Sequence, residues 1–121
     1  MVRVLIVDDS PAQVFRLKAL VEEWGHETLV AENGDQAIEM ARTEKPDVIL
    51  MDIIMPGMSG FQVTRKLTRD SETRTIPVIF VSTKDGEADR VWGMRQGAIG
   101  FVTKPVNPDL LLSAITDAIA A

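Results

Sequence analysis

At 121 residues the chain is long enough for one domain with a real core and too short for several. Its net charge of −5 and the lack of any basic run argue against non-specific nucleic-acid binding, and the absence of cysteine excludes a disulfide framework and a thiolate metal site. The first apolar run, Val4 to Val7, is far too short for a signal peptide or a membrane span, so the chain is expected to be cytoplasmic with no membrane partner.

Arg3 to Val7 reads as a first strand that ends at Asp8 and Asp9. Ser10-Pro11 then reads as an N-cap followed by proline at the first helical position. Val14, Leu17, Val21 and Trp24 mark one face of the first helix, with Gly25 as its C-cap. Glu27 to Glu32 alternates weakly, as an edge strand does. His26 before it has no metal-spaced partner and is expected to be exposed. Asn33-Gly34 opens a second helix with Ala37, Ile38 and Ala41 inward, ending before Pro46. Asp47 to Met51 is the third strand. After the loop from Pro56 to Gly60, Phe61, Thr64 and Leu67 face inward on a third helix. The fourth strand is Ile76 to Val81, followed by Ser82, Thr83 and Lys84. Asp85 is expected to cap a fourth helix carrying Ala88, Val91, Trp92 and Arg95 on its apolar face, with Gly97 at its end. Ile99 to Thr103 is the fifth strand, followed by Lys104-Pro105. Asn107 caps the last helix, whose apolar face is Leu111, Ile115, Ala118 and Ile119. That helix runs to the C-terminus, so a single domain over 1–121 with no output domain is expected.

Strands alternating with helices predict an α/β class: a parallel, doubly wound, five-stranded sheet between two helix layers. Right-handed crossovers allow few strand orders. The order 2-1-3-4-5 puts the first and third strands at the centre, where the reversal of winding opens a crevice at their carboxyl ends. Strand 2 becomes an edge, which suits its weaker apolar pattern.

The third strand is the one the site is built on. Val48 to Pro56 reads VILMDIIMP: four apolar residues lead to a single carboxylate, Asp52. Such a run is the mark of a strand buried on both faces, and a charge at its end is costly unless the site uses it. Strand 1 delivers Asp8 and Asp9 to the same edge, strand 4 delivers Ser82 and strand 5 delivers Lys104. Three close carboxylates repel, and a hard divalent cation such as Mg²⁺ relieves that with oxygen ligands, retained waters and a substrate phosphate. A carboxylate is also a phosphoryl acceptor through an acyl phosphate. Phosphoryl transfer needs positioning and charge neutralisation above all. Lys104 and the Ser82 hydroxyl supply these beside the cation, so the constellation reads as a site for placing phosphate on Asp52. Taken singly, each member has a plainer explanation: a helix start for Asp8-Asp9, a loop hydroxyl for Ser82, a surface lysine for Lys104. Their joint arrival at one edge is what carries the reading. Thr83 and Thr103 are taken as structural.

VLIVDDSP, VILMDIIMPGMSG, PVIFVSTKD and GFVTKPV resemble, in order, the blocks of the bacterial two-component response-regulator receiver domain, over essentially the whole chain. The resemblance implies the flavodoxin-like receiver fold and a phosphorylation-activated switch, a signalling domain rather than an enzyme. Asp52 would be the phosphoacceptor. Asp9, Asp52 and the Ile54 carbonyl would bind Mg²⁺, with Asp8 acting largely through water. Ser82 and Phe101 would form the hydroxyl and aromatic switch pair, with Lys104 on the phosphate and a cis bond to Pro105. Ile54 and Lys84 flank the path of the attacking water and would tune the phosphate lifetime. The implied partners are a histidine kinase and a protein target on the face of helix 4, strand 5 and helix 5, near Arg90, Trp92 and Phe101. The chain is expected to be a monomer. Ser59 departs from the aspartate that many members carry, a turn position where little consequence is expected. The stand-alone architecture and the segment VWGMRQGA, Val91 to Ala98, are similar to regulators of the type IV pilus, twitching-motility, chemotaxis-like pathway.

Rival readings make different demands on the residues. A stand-alone receiver of another chemotaxis or phosphorelay pathway, or a phosphate sink, would carry the same site. A Mg²⁺-dependent phosphohydrolase would place Asp-x-Asp after the first strand and add a cap; here Asp8-Asp9-Ser10 stands there. A flavin carrier would need a phosphate loop where this chain has two acids. A degenerate, scaffold-only receiver would have lost an acid or the lysine.

Overall fold

The structure, a computed structural model, describes residues 2–84 and 86–120. Strands β1 (Arg3–Val7) and β3 (Val48–Met51) lie side by side at the centre of a parallel sheet. β2 (Glu27–Ala31) flanks β1, and β4 (Val78–Ser82) and β5 (Gly100–Thr103) follow β3. The order is β2-β1-β3-β4-β5, as expected. Helices α1 (Pro11–Glu23), α2 (Gly34–Glu44), α3 (Gly60–Arg69), α4 (Glu87–Arg95) and α5 (Pro108–Ala120) form the crossovers and the end of the fold.

Successive side chains of a strand point to opposite faces. In β1, Leu5 and Val7 enter one apolar layer with Ala37, Ala41, Val63 and Leu67; Val4 and Ile6 enter the other with Leu17, Val21, Leu111 and Ile115. The sheet is therefore covered by α2, α3 and, through Gly93 on Phe80, α4 on one side and by α1 and α5 on the other. This double burial is why the central strands read as unbroken apolar runs. Each Leu or Ile fully removed from water contributes about 2 kcal/mol before chain entropy is counted.

The helix starts obey the cap chemistry. The Ser10 hydroxyl accepts from the Gln13 N–H, and Pro11 comes next in the chain. The Asn33 side-chain Oδ1 accepts from the Gln36 N–H, and that of Asn107 from the Asp109 and Leu110 N–H groups. Ser59 does more than turn the chain: its hydroxyl accepts from the Gln62 N–H, and the Gln62 side chain accepts from the Ser59 N–H at 2.9 Å, a full capping box on α3. The C-cap of α1 is Trp24, and Gly25, with φ +85°, stands one residue beyond it instead of at the cap itself.

Several expectations are corrected. β4 starts at Val78, after Pro77, and includes Ser82; β2 stops at Ala31, and β3 and β5 each start one residue later than expected. His26 is half-buried, Ile119 is exposed, and Val63 joins Thr64 and Leu67 on the buried face of α3. The largest difference is α4. Ala88, Val91, Trp92 and Arg95 are all exposed, and Gly93 is the residue that packs. A methyl at Gly93 would lie 2.9 Å from both Cδ2 and Cε2 of the buried Phe80, so only glycine lets α4 approach that ring. Asp85 lies outside the described residues; Gly86 holds the N-cap position without a side-chain cap bond.

Candidate functional site

The strand ends bring the expected polar residues together. The Asp52 N–H donates to the Val7 carbonyl at 2.9 Å, which brings the segments after β1 and β3 side by side. Asp8, only 2% exposed, accepts from the Ser10 N–H on one oxygen and from the Lys104 ammonium on the other, each at 2.9 Å. The same ammonium lies 3.6 Å from Oδ1 of Asp52, which also accepts from the Ile53 N–H at 2.9 Å. Lys104 is thus drawn inward between two carboxylates; its bond to Pro105 is cis, and its N–H donates to the Ser82 carbonyl. Ser82 is buried, and its hydroxyl accepts from the Lys84 N–H at 3.2 Å. Asp9 is exposed.

One carboxylate oxygen from each of Asp8, Asp9 and Asp52 lies within 4.8 Å of the others. Burial pushes the Asp52 carboxyl up from its usual range; Lys104 pulls it down, Asp8 pushes it up again, and the net direction is up. Three negative charges face one ammonium, so two remain uncompensated. An all-oxygen donor set with that deficit fits a hard divalent cation such as Mg²⁺.

The other expected site residues lie after β3 and β4 and on α4 and β5. Ile54, two residues beyond Asp52, is 58% exposed. The Lys84 ammonium faces Asp89 on the first turn of α4, 3.9 Å away. Phe101 is half-buried on edge strand β5, its ring 6.0 Å from that of Phe80. The Arg90 guanidinium covers the Phe101 ring at 4.9 Å and donates to the Thr103 hydroxyl at 3.1 Å. Trp92, two residues on, is exposed on α4.

Two supporting residues escaped the sequence reading. A methyl on Gly60 would overlap the Asp52 carbonyl oxygen, so glycine is what lets α3 begin against the Asp52 backbone. The repeated glycines of the PGMSG loop were the available signal. Arg16 donates from α1 to the Val106 carbonyl at 3.0 Å, tying down the segment that carries Lys104. Nothing local in the sequence links residues that far apart.

The model of the response regulator receiver domain matches residues 4–116. Protein PilH of Pseudomonas aeruginosa is 57% identical over 120 residues, covering 99% of each chain. Among solved structures, the chemotaxis protein CheY4 of Vibrio cholerae superposes with a TM-score of 0.91 at 30% identity, covering 98% of each chain. The signal receiver domain of a histidine kinase from Syntrophus aciditrophicus superposes at 0.90 with 35% identity, covering 99% of this chain and 91% of that one. With the family blocks matched along the chain and the sheet order shared, this chain belongs to the response regulator receiver domain family.

Proposed function

We propose that the chain is a phosphorylation-activated switch that takes a phosphoryl group from a histidine kinase onto Asp52. The observation that carries this is the grouping of the Asp8, Asp9 and Asp52 carboxylates within 4.8 Å, with the Lys104 ammonium between Asp8 and Asp52. Asp9, Asp52 and the Ile54 carbonyl would hold Mg²⁺, with Asp8 acting largely through water. When bound, the ion supplies positive charge for the phosphoryl oxygens. An Asp52 oxygen attacks phosphorus, the P–N bond of the phosphohistidine breaks, and the imidazole keeps the electron pair. Lys104 balances charge on the incoming group, and the Ser82 hydroxyl donates to one of its oxygens. Ile54 fills the water path without orienting a water, and Lys84 cannot accept a proton while charged, so both favour slow loss of the phosphate. The output is a changed protein-binding face on α4, β5 and α5, where Phe101, Arg90 and Trp92 lie. The likeness to PilH supports placement in a type IV pilus, twitching-motility pathway, with the whole chain acting as one receiver unit in the cytoplasm.

The test is labelling by a phosphohistidine donor with and without Mg²⁺, mapped by mass spectrometry. Label confined to Asp52, and lost in Asp52→Asn, is expected. Undiminished label in that variant would refute the assignment.

A further inference from the structure

The chain is acidic overall, yet its cations are not spread evenly. Four of the 13 lysines and arginines, Arg42, Arg65, Lys66 and Arg69, line one open groove of about 600 Å³ between α2 and α3, with Ile38 on its wall. Among the described residues the single acid in the lining, Asp70, is already taken. Arg42 donates to it through both Nε and Nη2, the latter at 2.6 Å, and the Glu72 N–H holds its other oxygen. Among the described residues no acid lies within ion-pair distance of Arg65, Lys66 or Arg69. Arg65 and Arg69 stand four apart on α3, where like charges repel. Lys66 and Arg69 gain something from the helix C-terminus. Arg65 lies outside the last turn, so the helix itself gains little from its charge.

We infer that this groove docks an acidic segment of a partner protein carrying one apolar anchor. Guanidinium forks match carboxylates in paired hydrogen bonds, and the half-buried Ile38 offers the anchor an apolar wall. Among the described residues the lining holds no aromatic side chain on which a nucleobase could stack. A second copy of this chain, itself at −5, is repelled as a whole. Position adds meaning. α3 starts beside Asp52, where the Gly60 N–H donates to the Ile53 carbonyl, and runs back along the sheet for about 15 Å. A partner held at its far end leaves the carboxylate crevice and the α4–β5–α5 face free, so the groove can tether the domain while the other two surfaces work.

The test is a ¹⁵N NMR titration of the full chain with a short synthetic Glu-rich amphipathic peptide bearing leucines on one face. Expected are shifts concentrated in α2 and α3, weakening with added salt, and binding weakened roughly tenfold by Arg65→Glu with Arg69→Glu. Thermal melting checks that this variant folds; if it does not, the neutral pair Arg65→Gln with Arg69→Gln decides. Unchanged peptide affinity in the variant would overturn the inference. So would the same amides responding to ATP or a single-stranded oligonucleotide but not to the peptide, or a self-association in sedimentation that the variant abolishes.

Discussion

Asp52 holds its charge in a nearly closed place, and its environment works against that charge. Burial is the largest cause of its raised proton affinity, and Asp8 adds to it. Because the carboxyl titrates higher in the folded protein, its contribution to stability is complete below the ordinary carboxylate range, near pH ~4, and is lost as pH rises through the raised value. An uncharged side chain of the same shape escapes that loss. Asp52→Asn is therefore expected to melt above the parent at neutral pH without divalent cations, with the gap closing as pH falls. A variant less stable than the parent at pH 7 would contradict this. Lys104 would not be stranded by the change, since it keeps its 2.9 Å bond to Asp8. Removing Lys104 itself has the opposite sign. Lys104→Met leaves Asp8, 2% exposed, with the Ser10 N–H but no counter-ion, and should lower stability by about 3 kcal/mol in urea unfolding. A loss below about 1 kcal/mol would mean that Asp8 finds other compensation.

At the scale of elements, α4 is held by a near contact in place of an apolar stripe. Gly93→Ala would gain about 1 kcal/mol of helix propensity and lose more, since its methyl meets two ring carbons of Phe80 at 2.9 Å. Phe80 cannot yield freely: it is fully buried and stacks edge-on against Phe61 at 5.3 Å. A net loss of about 1 to 2 kcal/mol in urea unfolding is expected; a gain would mean that α4 floats on the sheet. The same contact explains what the sequence hid. The 3.6-residue pattern of Ala88, Val91, Trp92 and Arg95 pointed to one face, but an apolar stripe marks burial only when a matching surface exists, and Phe80 already fills that surface. By contrast, Val4 to Val7 and Val48 to Met51 were legible because strands buried on both faces leave no room for polar residues. Cap residues were legible at Ser10 and Asn107 because capping is local chemistry, and the same chemistry stood unread in Asn33, read only as a turn, and in Ser59 and Gln62, the S-x-x-Q of a capping box.

At the scale of the whole molecule, the crevice residues share one edge because parallel strands carry the residues beyond their carboxyl ends to the same side, so strand order alone made most of the site legible. How deep each acid sits was not legible: neighbours in sequence, Asp8 is buried against Lys104 and Asp9 is exposed. That difference separates holding the fold from holding a cation. Asp9 has no ion-pair partner among the described residues, so Asp9→Asn should change the stability of the metal-free protein by no more than about 0.5 kcal/mol. Asp8→Asn removes the partner of a Lys104 side chain that is only 8% exposed and should cost about 3 kcal/mol in the same state, although Asp52 softens the loss at 3.6 Å. Binding to the folded state alone adds stability by mass action, about 2.7 kcal/mol at a hundredfold excess over Kd. Adding Mg²⁺ should therefore raise the melting temperature of the parent, and that rise should vanish in Asp9→Asn while its metal-free melting curve overlays the parent's. Melting measured with and without Mg²⁺ in the parent and both variants separates the two roles. A full Mg²⁺-dependent rise in Asp9→Asn would remove Asp9 from the proposed ligand set, and an unchanged metal-free midpoint in Asp8→Asn would show that the buried pair with Lys104 does not hold the crevice together.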